Sequence, residues 1–348
     1  AMPCDEEFFN LTNGKYGLDA KYLLCNGPFH VSKWTEKTSV KLAKNNEYNG
    51  ESSVSPSSVT FYINNDDSEV ADKMNSVTYD VAFLSSSQFS SIENKKDLNS
   101  VAVQNVTYSF IFNQNDNNYR NKNMRLAFCR SCDTSSLFDS QSDISKADGI
   151  VPPSCKIGGE DYRNGNAAEL LSYDETLAKK NFNDALLELG SSSVETTILC
   201  TEQYEPFVKQ MVQKLQKTLG VKFVSTVKVV SESDLEAAVN DGNYSVAFYP
   251  FKAKSSFAGE IIEGFDQNNI FGYESDVLSQ KIRNIKNNSG SLEGERSAVA
   301  DAENYLVSEA VIMPVFYENS YFVTSKKTSG IYFYSSADNV CFINAKKS

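Results

Sequence analysis

A chain of 348 residues, 41% hydrophobic and 22% charged, is long enough for two domains with sizeable cores and has the composition of a soluble globular protein. Its net charge of −12 argues against unaided nucleic-acid binding, which needs clustered Lys and Arg against phosphates. No apolar run approaches the roughly 18 residues of a membrane span, and seven scattered cysteines, an odd number, are not the dense, even set of a disulfide scaffold.

Asn26-Gly27-Pro28 is turn chemistry, because Gly tolerates positive φ and the Pro ring presets φ at the entry to a strand. Phe29-His30-Val31 alternates as a strand and leads to the single tryptophan, Trp34. After the polar turn Thr35-Glu36-Lys37-Thr38, Val40 and Leu42 alternate with Ser39, Lys41 and Ala43. The spacing predicts a β-hairpin with one wet face and one core face. Strands are expected over 59–63, 79–84, 101–103 and 106–112, and a short helix over 66–76 carries acidic residues in its first turn. Ser85-Ser86-Ser87 is read as a loop leaving the strand at 79–84, and the polar stretch 113–120 as a crossing into a second domain.

That second domain opens with a helix over 123–132 and an irregular stretch, 149–163, containing Pro152-Pro153 and Gly158-Gly159. Asp174 is placed to cap a helix whose apolar face is Leu177, Ala178, Phe182, Ala185, Leu186 and Leu189, and Gly190 is placed to end it. Next come a strand at 196–200, a helix from Glu205-Pro206 to Leu219, a strand at 221–230, a helix at 234–240 and a strand at 244–249. This β-α-β-α-β alternation predicts a mainly parallel sheet covered by helices. Helices at 276–286 and 292–307 precede strands at 312–316 and 321–324.

Little in this chain is equipped for catalysis. The only histidine, His30, alternates with Phe29 and Val31 on a strand and is expected to face solvent or hold a structural hydrogen bond. No HExxH, P-loop, GxSxG or GxGxxG occurs, and the acidic pairs Glu6-Glu7, Asp66-Asp67 and Glu160-Asp161 sit in loops or helix starts. Cys129-Arg130-Ser131-Cys132 ends a helix rather than opening one and has no second ligand pair for zinc. Two structural cysteines are expected there, with a disulfide between them as the alternative. The expectation is a protein without metal or cofactor that is not an enzyme.

Several strings nevertheless resemble one family in order along nearly the whole chain. They are the turn-strand-Trp-turn-strand run from Asn26 to Tyr48, Tyr79-Asp80-Val81-Ala82, the strand from Tyr108 to Asn113, and Met124-Arg125-Leu126-Ala127-Phe128. Ile312-Met313-Pro314-Val315-Phe316-Tyr317 and Ser329-Gly330-Ile331 complete the set. Together they resemble the extracellular, periplasmic-type solute-binding proteins of the oligopeptide/dipeptide-binding family of ABC transporters. The resemblance implies an α/β, two-lobed periplasmic-binding-protein fold of the class II type. Lobe I would comprise 1–118 with 313–348 returning to it, and lobe II 119–312. The family's hairpin lies well inside its chain, so these residues read as the later two thirds of a longer protein, with Ala1-Met2 as a cloning remnant.

In open α/β sheets ligands bind beyond the carboxyl ends of parallel strands. Two post-strand loops qualify, 85–88 and 250–256, with the crossing strand at the hinge. The candidate ligand-binding residues are Ser85, Ser86, Phe112, Asn113, Tyr249, Phe251 and Lys252. Peptide binders of the family typically carry a Trp and then an Asp in the second loop, the carboxylate pairing with the peptide's α-ammonium. Here Ala247-Phe248-Tyr249-Pro250-Phe251-Lys252-Ala253-Lys254 has no acid, and none occurs from Val246 to Gly259. The expected ligand is accordingly a solute not selected by a free ammonium group. The resemblance implies capture of a small solute or peptide outside the cell, by a periplasmic protein or surface lipoprotein, for an ABC permease in the membrane. A surface sensing or interaction module that keeps the fold without transport is the alternative, which neighbouring permease and ATPase genes would discriminate.

Overall fold

The computed structural model describes residues 4–348 except 52, 64–66, 135–136, 139–141 and 335–338. Ala1-Met2 and Asp66, the expected first residue of a helix, lie outside the described residues. In chain order the elements are α1 (Glu6–Leu11), β1 (Phe29–Thr35), β2 (Ser39–Lys44), β3 (Ser58–Tyr62), α2 (Asp67–Asn75), β4 (Val81–Ser85), α3 (Ser86–Ser91), β5 (Leu98–Val103) and β6 (Val106–Phe112). They continue with α4 (Lys122–Arg130), β7 (Ile144–Lys146), β8 (Lys156–Ile157), β9 (Glu160–Asp161), α5 (Glu175–Leu189), β10 (Val194–Cys200) and α6 (Glu205–Leu219). Then come β11 (Phe223–Val229), α7 (Glu232–Asn240), β12 (Val246–Lys252), α8 (Gly259–Glu263), α9 (Asp276–Asn287), α10 (Leu292–Ser308), β13 (Ile312–Glu318) and β14 (Ser320–Ser325). The chain divides into two compact units, one of residues up to 102 with 320–334 and the C-terminal stretch, the other of residues 103–319.

In the first unit β1 and β2 form the expected hairpin, closed where Thr35 faces Ser39, with Lys37 at φ 55° in the turn. β3 adds on the other side of β2. The core face expected of the hairpin is only half-covered: no residue of β1 or β2 is fully buried, and Trp34 is 44% exposed. The apolar centre of this unit lies elsewhere, where Met74, Leu84, Ile92, Leu98 and Val323 pack around the sheet β4-β14-β5. Ser85 does not open a loop. It caps α3 in a capping box, its hydroxyl accepting from Gln88 N–H at 3.2 Å while Gln88 Oε1 accepts from Ser85 N–H at 2.7 Å.

The second unit is built on a six-stranded sheet in the order β11-β10-β12-β6-β13-β7. β10 runs parallel to both β11 and β12, as the β-α-β-α-β alternation requires. β6 is antiparallel to β12 and β13, and β7 is antiparallel to β13. The sheet is therefore parallel over one half only, because the strands of its other half come from outside the alternating run. Pleating sends Phe110 and Phe112 of β6 to a core with Phe128 of α4, Phe182 of α5 and Met211 of α6. Ile111 points to the opposite core with Leu235 of α7, Ile282 of α9 and Leu306 of α10. Each such side chain taken fully out of water contributes about 1.5–3 kcal/mol. Asp174 and Gly190 bound α5 as expected: the Asp174 carboxylate accepts from Leu177 N–H at 2.9 Å, and Gly190 has φ 63°.

Two polar hubs fix the irregular segments of this unit. Glu303, 1% exposed on α10, accepts from the backbone N–H groups of Ile150 and Val151, from the Tyr162 hydroxyl and from the Arg163 guanidinium. Arg163 returns a bond from Nε to Val151 O at 2.8 Å, so the Pro- and Gly-rich stretch is laced to one carboxylate. Arg125, 3% exposed on α4, donates to the carbonyls of Tyr119, Arg120, Glu309 and Ala310. The last two carbonyls come directly after α10, where a cation meets the negative end of a helix. Gln104 Nε2 donates to Ser145 Oγ at 2.9 Å and to Asn319 Oδ1 at 2.7 Å, tying together the two ends of the unit.

Candidate functional site

The parallel half of the sheet carries its carboxyl ends at Cys200, Val229 and Lys252. Because β6 runs the other way, its first residue, Val106, lies opposite Lys252, and β13 brings Tyr317 opposite Thr107 at the same edge. Five strands thus contribute to one rim, the place where an open α/β sheet offers loops and free strand ends to a ligand.

The rim is aromatic with a carboxylate in it. Tyr204, in the turn between β10 and α6, donates its hydroxyl to Glu318 Oε1 at 2.8 Å, and Gln203 Nε2 donates to the same hydroxyl at 3.2 Å. The Tyr204 ring lies 4.3 Å from that of Tyr108, which also meets Phe316 at 5.0 Å and Phe248 at 5.5 Å. Burial, followed by the neighbouring Glu318 charge, pushes the Tyr108 phenol well up, and burial with the Tyr108 and Glu318 neighbours does the same to Tyr204. Both stay protonated at any physiological pH, and Tyr204 acts as a hydrogen-bond donor to Glu318. Glu318 ends β13 and Lys252 ends β12, one on each side of β6. Two strand spacings separate them, roughly 10 Å at the backbone.

Of the residues expected at a ligand site, Tyr249, Phe251 and Lys252 share one strand, β12, with Phe251 and Lys252 on its last residues rather than on the expected loop. β12 runs on to Lys252, held by β6, with Tyr249 opposite Ser109 and Phe251 opposite Thr107. The pleat puts Tyr249 and Phe251 on the face away from Tyr108: Phe251 stacks on Phe265 at 5.7 Å, and burial pushes the half-buried Tyr249 phenol up. Lys252 is exposed at the rim. Phe112 ends β6 and Asn113 follows it, at the end of the strand away from the rim. Phe112 is fully buried against Tyr119, and the Asn113 amide donates to Gly242 O and Tyr244 O, both at 2.8 Å. Ser85 and Ser86 belong to the other unit, Ser85 as the cap of α3 and Ser86 as its first residue.

Tyr204 and Glu318 were missed from sequence. Thr201–Tyr204 is a third post-strand turn, which the same topological rule selects. Glu318 becomes visible only when β13 is extended two residues past Phe316. It also brings to the rim the acid that 246–259 lacks, so that window alone no longer decides whether an ammonium group is recognised. His30 is exposed, and Cys129 and Cys132 are free, buried thiols, with Cys132 Sγ 3.3 Å from Met211 Sδ. Among the described residues no group of three or more His, Cys, Asp or Glu is placed to hold a metal ion.

Residues 6–271 match the family profile described as bacterial extracellular solute-binding proteins, family 5 Middle. The chain is 23% identical over 327 residues to the dipeptide-binding protein DppE of Bacillus subtilis (strain 168), covering 92% of this chain and 60% of that protein. Its fold superposes with a TM-score of 0.78 on the substrate-binding domain of an oligopeptide ABC transporter from Bacillus anthracis str. Ames, at 18% identity, over 99% of this chain and 69% of that one. Listeria monocytogenes OppA, solved bound to peptide, gives 0.76 at 20% identity with the same two coverages, 99% and 69%.

Proposed function

The chain belongs to the bacterial extracellular solute-binding proteins of family 5, and from that membership we propose that it captures a short, peptide-like solute outside the cell for delivery to an ABC permease. The observation that supports this best is the rim of the six-stranded sheet, where Tyr108 on β6 is flanked by Glu318, which accepts from Tyr204, at the end of β13 and by Lys252 at the end of β12. A solute with an ammonium group and a carboxylate roughly 10 Å apart, the span of about three extended residues, suits that spacing. Glu318 takes the ammonium, held in place by the Tyr204 hydroxyl, and Lys252 takes the carboxylate. The ring of Tyr108 packs on the solute between them. Binding works by conformational bias: the two units, joined at 102/103 and 319/320, close about those connections because the solute binds the closed arrangement more tightly.

Calorimetry with a pool of di- to pentapeptides, free and N-acetylated, tests the reading. Free peptides should bind in the micromolar range, and acetylation or Glu318→Gln should each weaken them at least tenfold. Equal affinity for acetylated peptides removes Glu318 from this role. No peptide binding at all removes the peptide reading.

A further inference from the structure

Beside the first half of β13 the second unit holds a cavity of about 210 Å³. It exists because β7 is short. β7 pairs with β13 only from Phe316 to Glu318, and Ala147 N–H adds one more bond to Val315 O at 3.1 Å. The edge of β13 from Ile312 to Pro314 therefore lies past the end of β7 and lines the opening. Since β12 and β13 are both antiparallel to β6, they run in the same direction. The cavity thus sits toward the start of β13, away from the rim that Glu318 reaches.

The lining includes the aliphatic Leu170, Leu171, Ile312 and Val315 and the buried thiols of Cys129 and Cys132, with the hydroxyls of Thr134, Ser172 and Tyr173 among them. An apolar cavity of about 150 Å³ already accepts benzene, and sulfur atoms make favourable contacts with aromatic ring edges. The opening differs from the walls: Lys146 and Asp133, both exposed, line it with one charge of each sign, and Lys214 Nζ donates to the Asp133 carbonyl oxygen at 2.8 Å. A plain hydrocarbon makes no use of either charge. A simple carboxylic acid meets Lys146 but brings its negative charge beside Asp133.

We infer that this cavity binds one free apolar amino acid of the size of leucine, methionine or phenylalanine. The side chain enters between Leu171 and Cys132, the α-carboxylate turns to Lys146 and the α-ammonium to Asp133. This is a second site, separate from the rim of the sheet.

Calorimetry of the full chain with L-leucine, L-methionine and L-phenylalanine decides the point. One site is expected, weakened at least tenfold by Lys146→Glu at the exposed opening and lost in Ala147→Phe, which fills the cavity. N-acetyl-leucine amide, which keeps the side chain and lacks both charges, should bind at least tenfold more weakly than leucine. If Ala147→Phe fails to fold, Lys146→Glu and the acetylated amide still decide. Absence of binding at millimolar amino acid overturns the inference, as does equal binding of N-acetyl-leucine amide or indole. Binding lost in Glu318→Gln but kept in Lys146→Glu would move the amino acid to the rim and overturn it as well.

Discussion

Glu303 shows how much one side chain can organise. Its carboxylate receives two backbone N–H groups, a phenol and a guanidinium, and with 1% exposure it has no water to fall back on. Removing one partner of such a pair strands the other charge, which costs about 3–5 kcal/mol. Arg163→Met should lower unfolding free energy in urea by that order, and the double variant Arg163→Met/Glu303→Gln should cost less than Arg163→Met alone. A double variant as unstable as the single one would show that packing rather than charge holds the segment. The thiols give a second test at this scale. Burial pushes Cys129, Cys132 and Cys155 up to about 12 and Cys200 up to about 11. The reactive species is the thiolate, so iodoacetamide at pH 8 should label only Cys4, Cys25 and Cys341 in the folded protein and all seven after denaturation. Because the folded values lie above the unfolded ones, these thiols leave stability untouched below the ordinary thiol pKa, ~8.5. Above it stability should fall progressively as pH rises toward 12.

Among the elements, α3 is the clearest case of local chemistry with a definite cost. Ser85→Ala removes the hydroxyl that caps it, which should destabilise the first unit by about 1 kcal/mol, read from a chemical unfolding midpoint. The signal was in plain view, a Ser with a Gln three residues later, yet a run of serines reads as a loop when each is weighed singly. α5 was legible to its caps, because Asp174 and Gly190 act through bonds only three or four residues long. β12 was legible in its first half alone. Pro250 through Lys252 contain a proline and a lysine, poor strand formers, and stay extended because β6 supplies a partner that no local window shows. Glu318 and Tyr204 were hidden for the same reason, being 114 residues apart in sequence and 2.8 Å apart in the fold.

For the whole molecule, large apolar side chains in solvent concentrate in the first unit. Trp34, Phe61, Tyr62, Phe83, Tyr332 and Tyr334 are each between 42% and 60% exposed. Large apolar side chains left in water favour association, so light scattering should show a mass that rises with concentration, and Phe61→Lys with Tyr62→Lys should reduce it. A strictly monomeric protein at high concentration would count against this. Chelation should do nothing, since the Cys129–Cys132 motif has no partner ligands at zinc spacing. A true structural zinc site contributes ~10 kcal/mol or more, so a large drop in melting temperature in EDTA, or stoichiometric zinc by elemental analysis, would refute that expectation.

The position of β6 in its sheet also says something about time. Its hydrogen-bonding neighbours begin at residues 246 and 312, so during synthesis the strand exists long before either partner has left the ribosome. Contacts that far apart along a chain form slowly, because loop closure precedes any reward. The second unit cannot finish its own centre until residue 318 has been made. For a family whose members work outside the cell, that delay is useful: a chain that folds late remains a thread during the interval in which it can still be exported.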